Sequence, residues 1–483
     1  MPTEHNNYCN GEWVASESGE TFAVTNPAAE TEVVGQLQYS TENDAKWAVE
    51  AAADAQQAWA DTPGPERGQI LRKAGSIASE RKAELVETLV AEEGKTHSEA
   101  SGEVQRSIDI LFYYAEKARD HGGSIKPASS AGAEIRAKTE PVGVAGLITP
   151  WNYPSAIPAW KLAPALATGN TAVLKPASQA PLSAKKLVEC LDEAGLPDGV
   201  VNFVTGSGST IGGVLAAHED IDAISFTGSA STGDVVYQDA AADQKRVQLE
   251  MGGKNPTVVM PSADLDEAVD IVGVGAFGTT GQSCTATSRA IVHEAVHDEF
   301  LDRMVEYAET LDIGPGRADP DMGPHVSESE LEVTQEYVDV ARAEGATLET
   351  GGETLDGGVH ESGHFVEPTV FSDVVSEMRI AQEEVFGPVL SVIEVGDFEE
   401  AVAVANDTDY GLSASIVSED AEEINTFVDQ VESGVVKINE KTTGLELHVP
   451  FGGMKGSSNE LYREQGDAGL EFYTTTKTVY ANR

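Results

Sequence analysis

Cations are scarce in this 483-residue sequence: 31 lysines and arginines stand against 81 aspartates and glutamates, a formal net charge of −50. No basic run occurs, and a polyanion repels phosphates, which excludes a nucleic-acid binder that works by neutralising the backbone and releasing counterions. Anionic membrane surfaces are disfavoured for the same reason. Long apolar runs are missing as well; without a stretch of about 18 such residues, no membrane span is expected. The opening MPTEHNNYCNGEW carries neither the basic nor the apolar part of a secretory leader, so the expectation is a cytoplasmic protein. Cysteine is limited to Cys9, Cys190 and Cys284. An odd number at wide spacing makes neither a disulfide framework nor a Cys-x-x-Cys site and fits a reducing compartment. Histidines do not cluster at metal-ligand spacing, and no metal is expected.

What is present is a hydrophobic content of 40%, enough for real cores, and a length that predicts two to four domains at about 150 residues each. The acidic excess runs along the whole chain, so it belongs to the entire surface. At molar salt the screening length falls to about 3 Å and self-repulsion largely vanishes, which reads as adaptation to high intracellular salt. An ordinary acidic cytosolic protein is the alternative.

Residues 41–60 and 65–93 repeat apolar positions at helical spacing, with Thr41 as a candidate N-cap. From residue 141 short apolar runs alternate with helices: VGVAGLIT, TAVLKP, VVNFVT and AISFTG, separated by helices near 159–168, 184–194 and 210–218. This succession predicts a doubly wound parallel sheet whose ligands gather at the carboxyl ends of its strands. A second α/β series from residue 256 predicts another domain, with helices over 265–272, 299–311 and 330–344. The segment 124–140 and the β-prone tail 472–480 lack hairpin partners in sequence, so each is expected to pair with another element or another subunit.

Gly273 opens GVGAFG, which matches G-x-G-x-x-G, but a helical run precedes it where the dinucleotide fingerprint needs a strand. Close helix packing is the better reading. The loop GSGSTIG, containing Gly208 and Gly212, leaves a strand and opens a helix, as a pyrophosphate site requires and as a plain turn also would. Cys284, in GQSCTATS, has small polar neighbours and its own N–H beside the sulfur; by itself it reads equally as a nucleophile and as an inert thiol. Cys190 lies on an apolar helix face and reads as inert. Glu250 ends the strand-like VQLE before Met251-Gly-Gly, a placement that suits a general base acting through water, although a solvated acid is the default among so many. Asn152, between two prolines in PWNYP, is an amide donor aimed from a strand end toward a possible oxyanion. Lys175 caps a buried strand, an oddity unless it meets an anion or ribose hydroxyls.

Taken together, PWNYP, VLKPAS, SFTGS, LEMGGKNP, GQSCTATSR, EEVFGP and PFGGMKGS resemble the aldehyde dehydrogenase superfamily over essentially the whole length. The resemblance implies an α/β fold with a Rossmann-like cofactor domain over 1–122 and 141–251. A catalytic domain over 252–452 and oligomerisation segments over 123–140 and 453–483 complete it. It implies Cys284 as nucleophile, Glu250 as general base, and Asn152 with the Cys284 N–H as oxyanion donors. For the cofactor it implies Lys175 at the adenosine ribose, Glu384 at the nicotinamide ribose, and Ser229 and Gly208 at the phosphates and adenine side. Thr149, Trp151, Gly212, Phe226 and Phe386 complete the cofactor set.

Within the family, GQSCTATSR, HVPFGGMKGSS and EFYTTTKTVY look most like the 2,5-dioxopentanoate (α-ketoglutarate semialdehyde) dehydrogenases, although Met454 stands where that group usually has a basic residue. Succinic semialdehyde or general aliphatic aldehydes are the alternative substrates, and a non-catalytic protein of the same fold is the alternative of another class. At Ser178 the family often has a glutamate that repels a 2′-phosphate; the neutral serine predicts NADP over NAD, the alternative being equal use of both. The partners expected are a small aldehyde and further copies of the chain, as a homodimer or homotetramer.

Overall fold

The computed structural model describes residues 3–482. Its first helices are α1 (Glu42–Asp61), α2 (Gly64–Glu80), α3 (Lys82–Glu93) and α4 (His97–Asp120). Thr41 starts α1 with a capping box: its hydroxyl accepts from the Asp44 N–H, and the Asp44 carboxylate accepts from the Thr41 N–H. Thr96 and Glu99 repeat the device at α4. Between α3 and α4 the chain reverses through Gly94 at φ 92°, a conformation that strains any other residue. That turn buries Lys95.

Five parallel strands form the first sheet, in the order Arg246–Glu250, Ala223–Thr227, Val144–Ile148, Thr171–Lys175 and Val201–Phe203. The antiparallel hairpin of Asn7–Cys9 and Glu12–Val14 extends it. Helices α5 (Ala156–Thr168), α6 (Leu182–Glu193), α7 (Gly213–Ala217) and α8 (Ala230–Ala241) join the strands. Val144–Ile148, Thr171–Lys175 and Ala223–Thr227 are buried at every position, as parallel strands covered on both faces are. From Val144–Ile148 the chain builds outward on one side and later returns to the other side with Ala223–Thr227. The order therefore reverses at Val144–Ile148, and the crevice at its carboxyl end is the place where such sheets take ligands.

The second sheet has seven strands, ordered Thr347–Thr350, Thr369–Ser372, Val389–Val395, Thr287–His293, Asn255–Val259, Ser413–Val417 and Val435–Ile438. All its pairings are parallel except the first. Helices α9 (Leu265–Phe277), α10 (His297–Thr310) and α11 (Glu328–Glu344) accompany it. GVGAFG lies in and just after α9, and a Cβ on Gly273 would sit 2.4 Å from the Tyr307 ring. Glycine is there for close helix packing, as the sequence predicted.

One expectation is corrected. The tail and the segment near 124–140 do not lack partners within the chain: Thr474–Asn482 pairs antiparallel with Ala133–Pro141 over nine residues, Thr474 facing Pro141 and Asn482 facing Ala133. Gly123–Lys126 completes the three-stranded sheet. The partners are far apart in sequence, so no turn signal announces them. Only Thr474–Asn482 of the segment 453–483 joins this sheet; Leu470, Phe472 and Tyr473 are buried in the core that also holds Leu162 of α5 and Leu174 of the first sheet. Among the described residues no helix is long and apolar enough to cross a membrane.

Candidate active site

The loop that follows Val144–Ile148 carries Asn152 to the reversal point of the first sheet. Its carbonyl accepts from the Lys95 ammonium. Glu103 of α4 accepts from the N–H groups of Ser155 and Ala156 at 2.9 and 3.1 Å, satisfying donors at the start of α5. The Ser107 and Ser155 hydroxyls meet at 2.8 Å. The loop is thus clamped from α4. Asn152 donates from Nδ2 to the Gln282 carbonyl at 3.2 Å, which fixes the amide plane and leaves its second N–H available.

Cys284 sits between α9 and strand Thr287–His293, after Thr279, Thr280 and Gly281 at φ 54°, 57° and 66°. Three successive left-handed residues are costly and persist only where the surroundings hold them. Here Glu99 accepts from the Thr279 N–H at 2.6 Å, Gln282 Oε1 accepts from the Val326 N–H at 2.9 Å, and Asn255 Nδ2 donates to the Cys284 carbonyl at 2.8 Å. Glu250 ends Arg246–Glu250. Its carbonyl accepts from Gly228, and the next N–H donates to the Ser457 carbonyl.

Asn152, Cys284, Met251-Gly252, Trp151, Phe386 and Glu384 surround a cavity of about 200 Å³. The Cys284 side chain is partly exposed to it. Burial pushes the Cys284 thiol up, reinforced by Glu384, Glu250 and Glu464, while its own backbone N–H acts the other way. Glu250 is 1% exposed, and among the described residues neither carboxylate oxygen has a hydrogen-bond partner. Burial and then Glu464 push it well above the carboxylate range, against Lys161 and Arg463. Glu384 accepts from the Gly253 N–H at 3.0 Å, and burial raises it to about 7. Burial thus favours the neutral thiol of Cys284 and the neutral acid of Glu250, so nucleophile and base each ionise only with a change in the local field.

The residues expected to hold a dinucleotide also fit one. Thr149 and Thr227 have buried hydroxyls without partners among the described residues. Ser229 starts α8 without a side-chain cap, which leaves that helix's first N–H groups open beside the cavity. The Lys175 ammonium donates to the Pro176 carbonyl at 2.9 Å, burial lowers it to about 8, and a Cβ on Gly208 would lie 4.0 Å away. Trp151 and Phe386 meet edge to face at 5.3 Å. Ser178, half-buried, donates to the Gly206 carbonyl at 3.1 Å. Two residues stand elsewhere. Phe226 is 3% exposed and packed in the core against Met251 and Gly233. Gly212 faces Ile148.

Sequence reasoning missed the charges behind the site. Lys161 donates to Ser225 Oγ at 2.6 Å and pairs with Glu464, both side chains almost fully buried. Lys95 lies between Glu93 and Glu103 at 3.2 and 3.0 Å, equally enclosed, under the Tyr153 ring. Lys161 had a signal, a single charge within the apolar helix AIPAWKLAPALAT. Glu103 and Glu464 had none among 81 acids.

The family model for the aldehyde dehydrogenase family matches residues 13–479, and the chain belongs to that family. It is 63% identical over 480 residues to the alpha-ketoglutarate semialdehyde dehydrogenase of Haloferax volcanii, covering 99% of each chain. It is 45% identical over 470 residues to the 2,5-dioxopentanoate dehydrogenase of Saccharolobus solfataricus, covering 97% of each. Among solved structures, the betaine aldehyde dehydrogenase of Staphylococcus aureus in complex with NAD+ superposes with a TM-score of 0.96 at 35% identity. That match covers 99% of this chain and 94% of the other.

Proposed function

We propose that this aldehyde dehydrogenase oxidises a short semialdehyde that bears a carboxylate, 2,5-dioxopentanoate first among them, to the corresponding acid, with NADP preferred over NAD. The observation that carries the chemistry is the convergence of Cys284, Asn152 and the Glu250 turn on one cavity. The Cys284 thiol gives its proton to water and the sulfur adds to the aldehyde carbon; the carbonyl π pair moves to oxygen. The free N–H of Asn152 Nδ2 and the Cys284 backbone N–H donate to the developing oxyanion. When bound, the nicotinamide supplies the hydride acceptor, and a thioester remains on Cys284. Glu250 then takes a proton from water, whose oxygen attacks the thioester, and the acid leaves with the sulfur returned as thiolate. A buried carboxylate with a raised pKa suits proton transfer near neutral pH.

The substrate reading rests on the two relatives above, one named for alpha-ketoglutarate semialdehyde and one for 2,5-dioxopentanoate. The NADP reading rests on a neutral hydroxyl at Ser178 and an ammonium at Lys175 that, among the described residues, meets a backbone carbonyl and no carboxylate, so no carboxylate from position 178 opposes a 2′-phosphate. A homodimer or homotetramer and a cytoplasmic, salt-rich setting belong to the same reading. Ile125 and Tyr480 of the three-stranded sheet are 75% and 77% exposed, apolar surface that a second copy would cover. The experiment is a panel of semialdehydes and neutral aldehydes with both cofactors in molar salt. Higher kcat/KM for 2,5-dioxopentanoate than for a neutral aldehyde supports the substrate, and the reverse order removes it.

A further inference from the structure

Resting on that substrate reading, we propose that Arg106 and Gln465 form the site that holds the far carboxylate of the semialdehyde. Acids outnumber cations heavily in this chain, so a half-buried guanidinium with no carboxylate within ion-pair distance is unusual. Of its five N–H donors only one has a partner among the described residues, Nη2 donating to Gln465 Oε1 at 2.9 Å. Other enclosed arginines of this kind are accounted for by backbone carbonyls: Arg289 binds those of Lys254, Val404 and Ala405, and Arg67 those of Ala60, Thr62 and Ala167. The carboxylates in the field of Arg106 have neighbours of their own. Asp109 accepts from Gln105 at 2.9 Å, and Glu446 lies 3.7 Å from His448.

Gln465 supplies the independent observation. It is 1% exposed, yet its Nε2 has no acceptor among the described residues. A buried amide donor without an acceptor is expensive unless a ligand provides one. The residue is also held at φ 63°, a strained conformation for glutamine. Nε2 and the remaining guanidinium N–H groups are all donors, and together they offer a carboxylate several charge-assisted hydrogen bonds.

Two chain neighbours link the pair to the reacting groups. Glu103, which holds the Asn152 loop, precedes Arg106 by three residues on α4, about 4.5 Å along the helix axis and on the same side. Gln465 follows Glu464, the acid whose charge raises Glu250. Glu464 is bound through its backbone to Phe451, and the Phe451 ring approaches that of Trp160 at 6.3 Å. Trp160 Nε1 is a further buried donor without a partner among the described residues.

The test compares wild type, Arg106→Met, Arg106→Lys and Gln465→Leu in molar salt, with 2,5-dioxopentanoate and with pentanal. Arg106→Met should lower the ratio of kcat/KM for the semialdehyde to that for pentanal by tenfold or more, mainly through KM. Arg106→Lys should restore part of it, and Gln465→Leu should show a smaller loss. Equal losses on both substrates, or an unchanged ratio, overturn the proposal. Should a variant fail to fold, wild type decides by inhibition: glutarate should compete with pentanal and glutaramide should not, and equal inhibition by the two overturns it. If wild type itself prefers pentanal, the substrate reading fails and not merely this site.

Discussion

The ammonium of Lys95 donates to the backbone carbonyl of Asn152, so the residue that presents the oxyanion donor is held by a charge on the turn between α3 and α4. The same turn region supplies Glu103 to the start of α5 and Glu99 to Thr279, just before the nucleophile. One short segment therefore touches both halves of the reacting geometry. Burial opposes the charge on Lys95, but Glu103 and Glu93 hold its pKa above the ordinary lysine value.

Replacing Lys95 by Met leaves two enclosed carboxylates without their cation, and the expected cost is about 3–5 kcal/mol of stability, read as a lower Tm. The double variant Lys95→Met/Glu103→Gln should regain much of that stability but not the rate, with kcat about tenfold or more below wild type and cofactor Kd unchanged. Recovery of kcat together with Tm would assign the cluster to folding alone.

Cys284→Ala should lose dehydrogenase turnover by about a thousandfold or more and still bind cofactor, measured by fluorescence titration. Glu250→Gln should release one burst of reduced cofactor and then stall at the thioester. A missing burst would place Glu250 before hydride transfer.

The pH dependence of thioester hydrolysis should follow Glu250. Its raised pKa means that the base form is gained only as pH climbs above the ordinary carboxylate range. Glu464 raises it and Lys161 lowers it. Glu464→Gln should therefore move the rising limb of the deacylation profile to lower pH, and Lys161→Met should move it to higher pH. Stopped-flow measurement across pH 5–10 checks both signs, and shifts in the opposite sense would rule out Glu250 as the titrating base.

Ser178→Glu places a carboxylate where the adenosine ribose is expected, and the ratio of kcat/KM for NADP to that for NAD should fall by tenfold or more. A wild type that favours NAD, or an unchanged ratio in the variant, defeats the argument from this position.

Removing salt should weaken both activity and assembly, because 81 acids then repel across the surface without screening. Dialysis from molar KCl to below about 0.1 M is expected to cost tenfold or more in activity, with smaller species by light scattering. Full activity and a constant mass in salt-free buffer for days would discard the halophilic reading.

Local chemistry made much of this protein legible from its sequence. The runs VAGLI, TAVLK and AISFT are apolar at nearly every position because both faces of a parallel strand are covered, and each proved wholly buried. Thr41 announced the start of α1 because a cap is made within one turn of the chain, and the structure adds Asp44 as its reciprocal partner. Cys284, Asn152 and Glu250 were visible as strand-end or turn residues, with the family's strings joining them into one reaction. Tertiary structure alone decided what surrounds them. Lys95 meets Asn152, Glu464 meets Lys161 and Arg106 meets Gln465 across separations of 57, 303 and 359 residues, and Thr474–Asn482 finds Ala133–Pro141 across a similar distance. A contact of that kind leaves no period or spacing in the chain: it exists only because folding brings two remote segments together, and burial then gives the charges their strength.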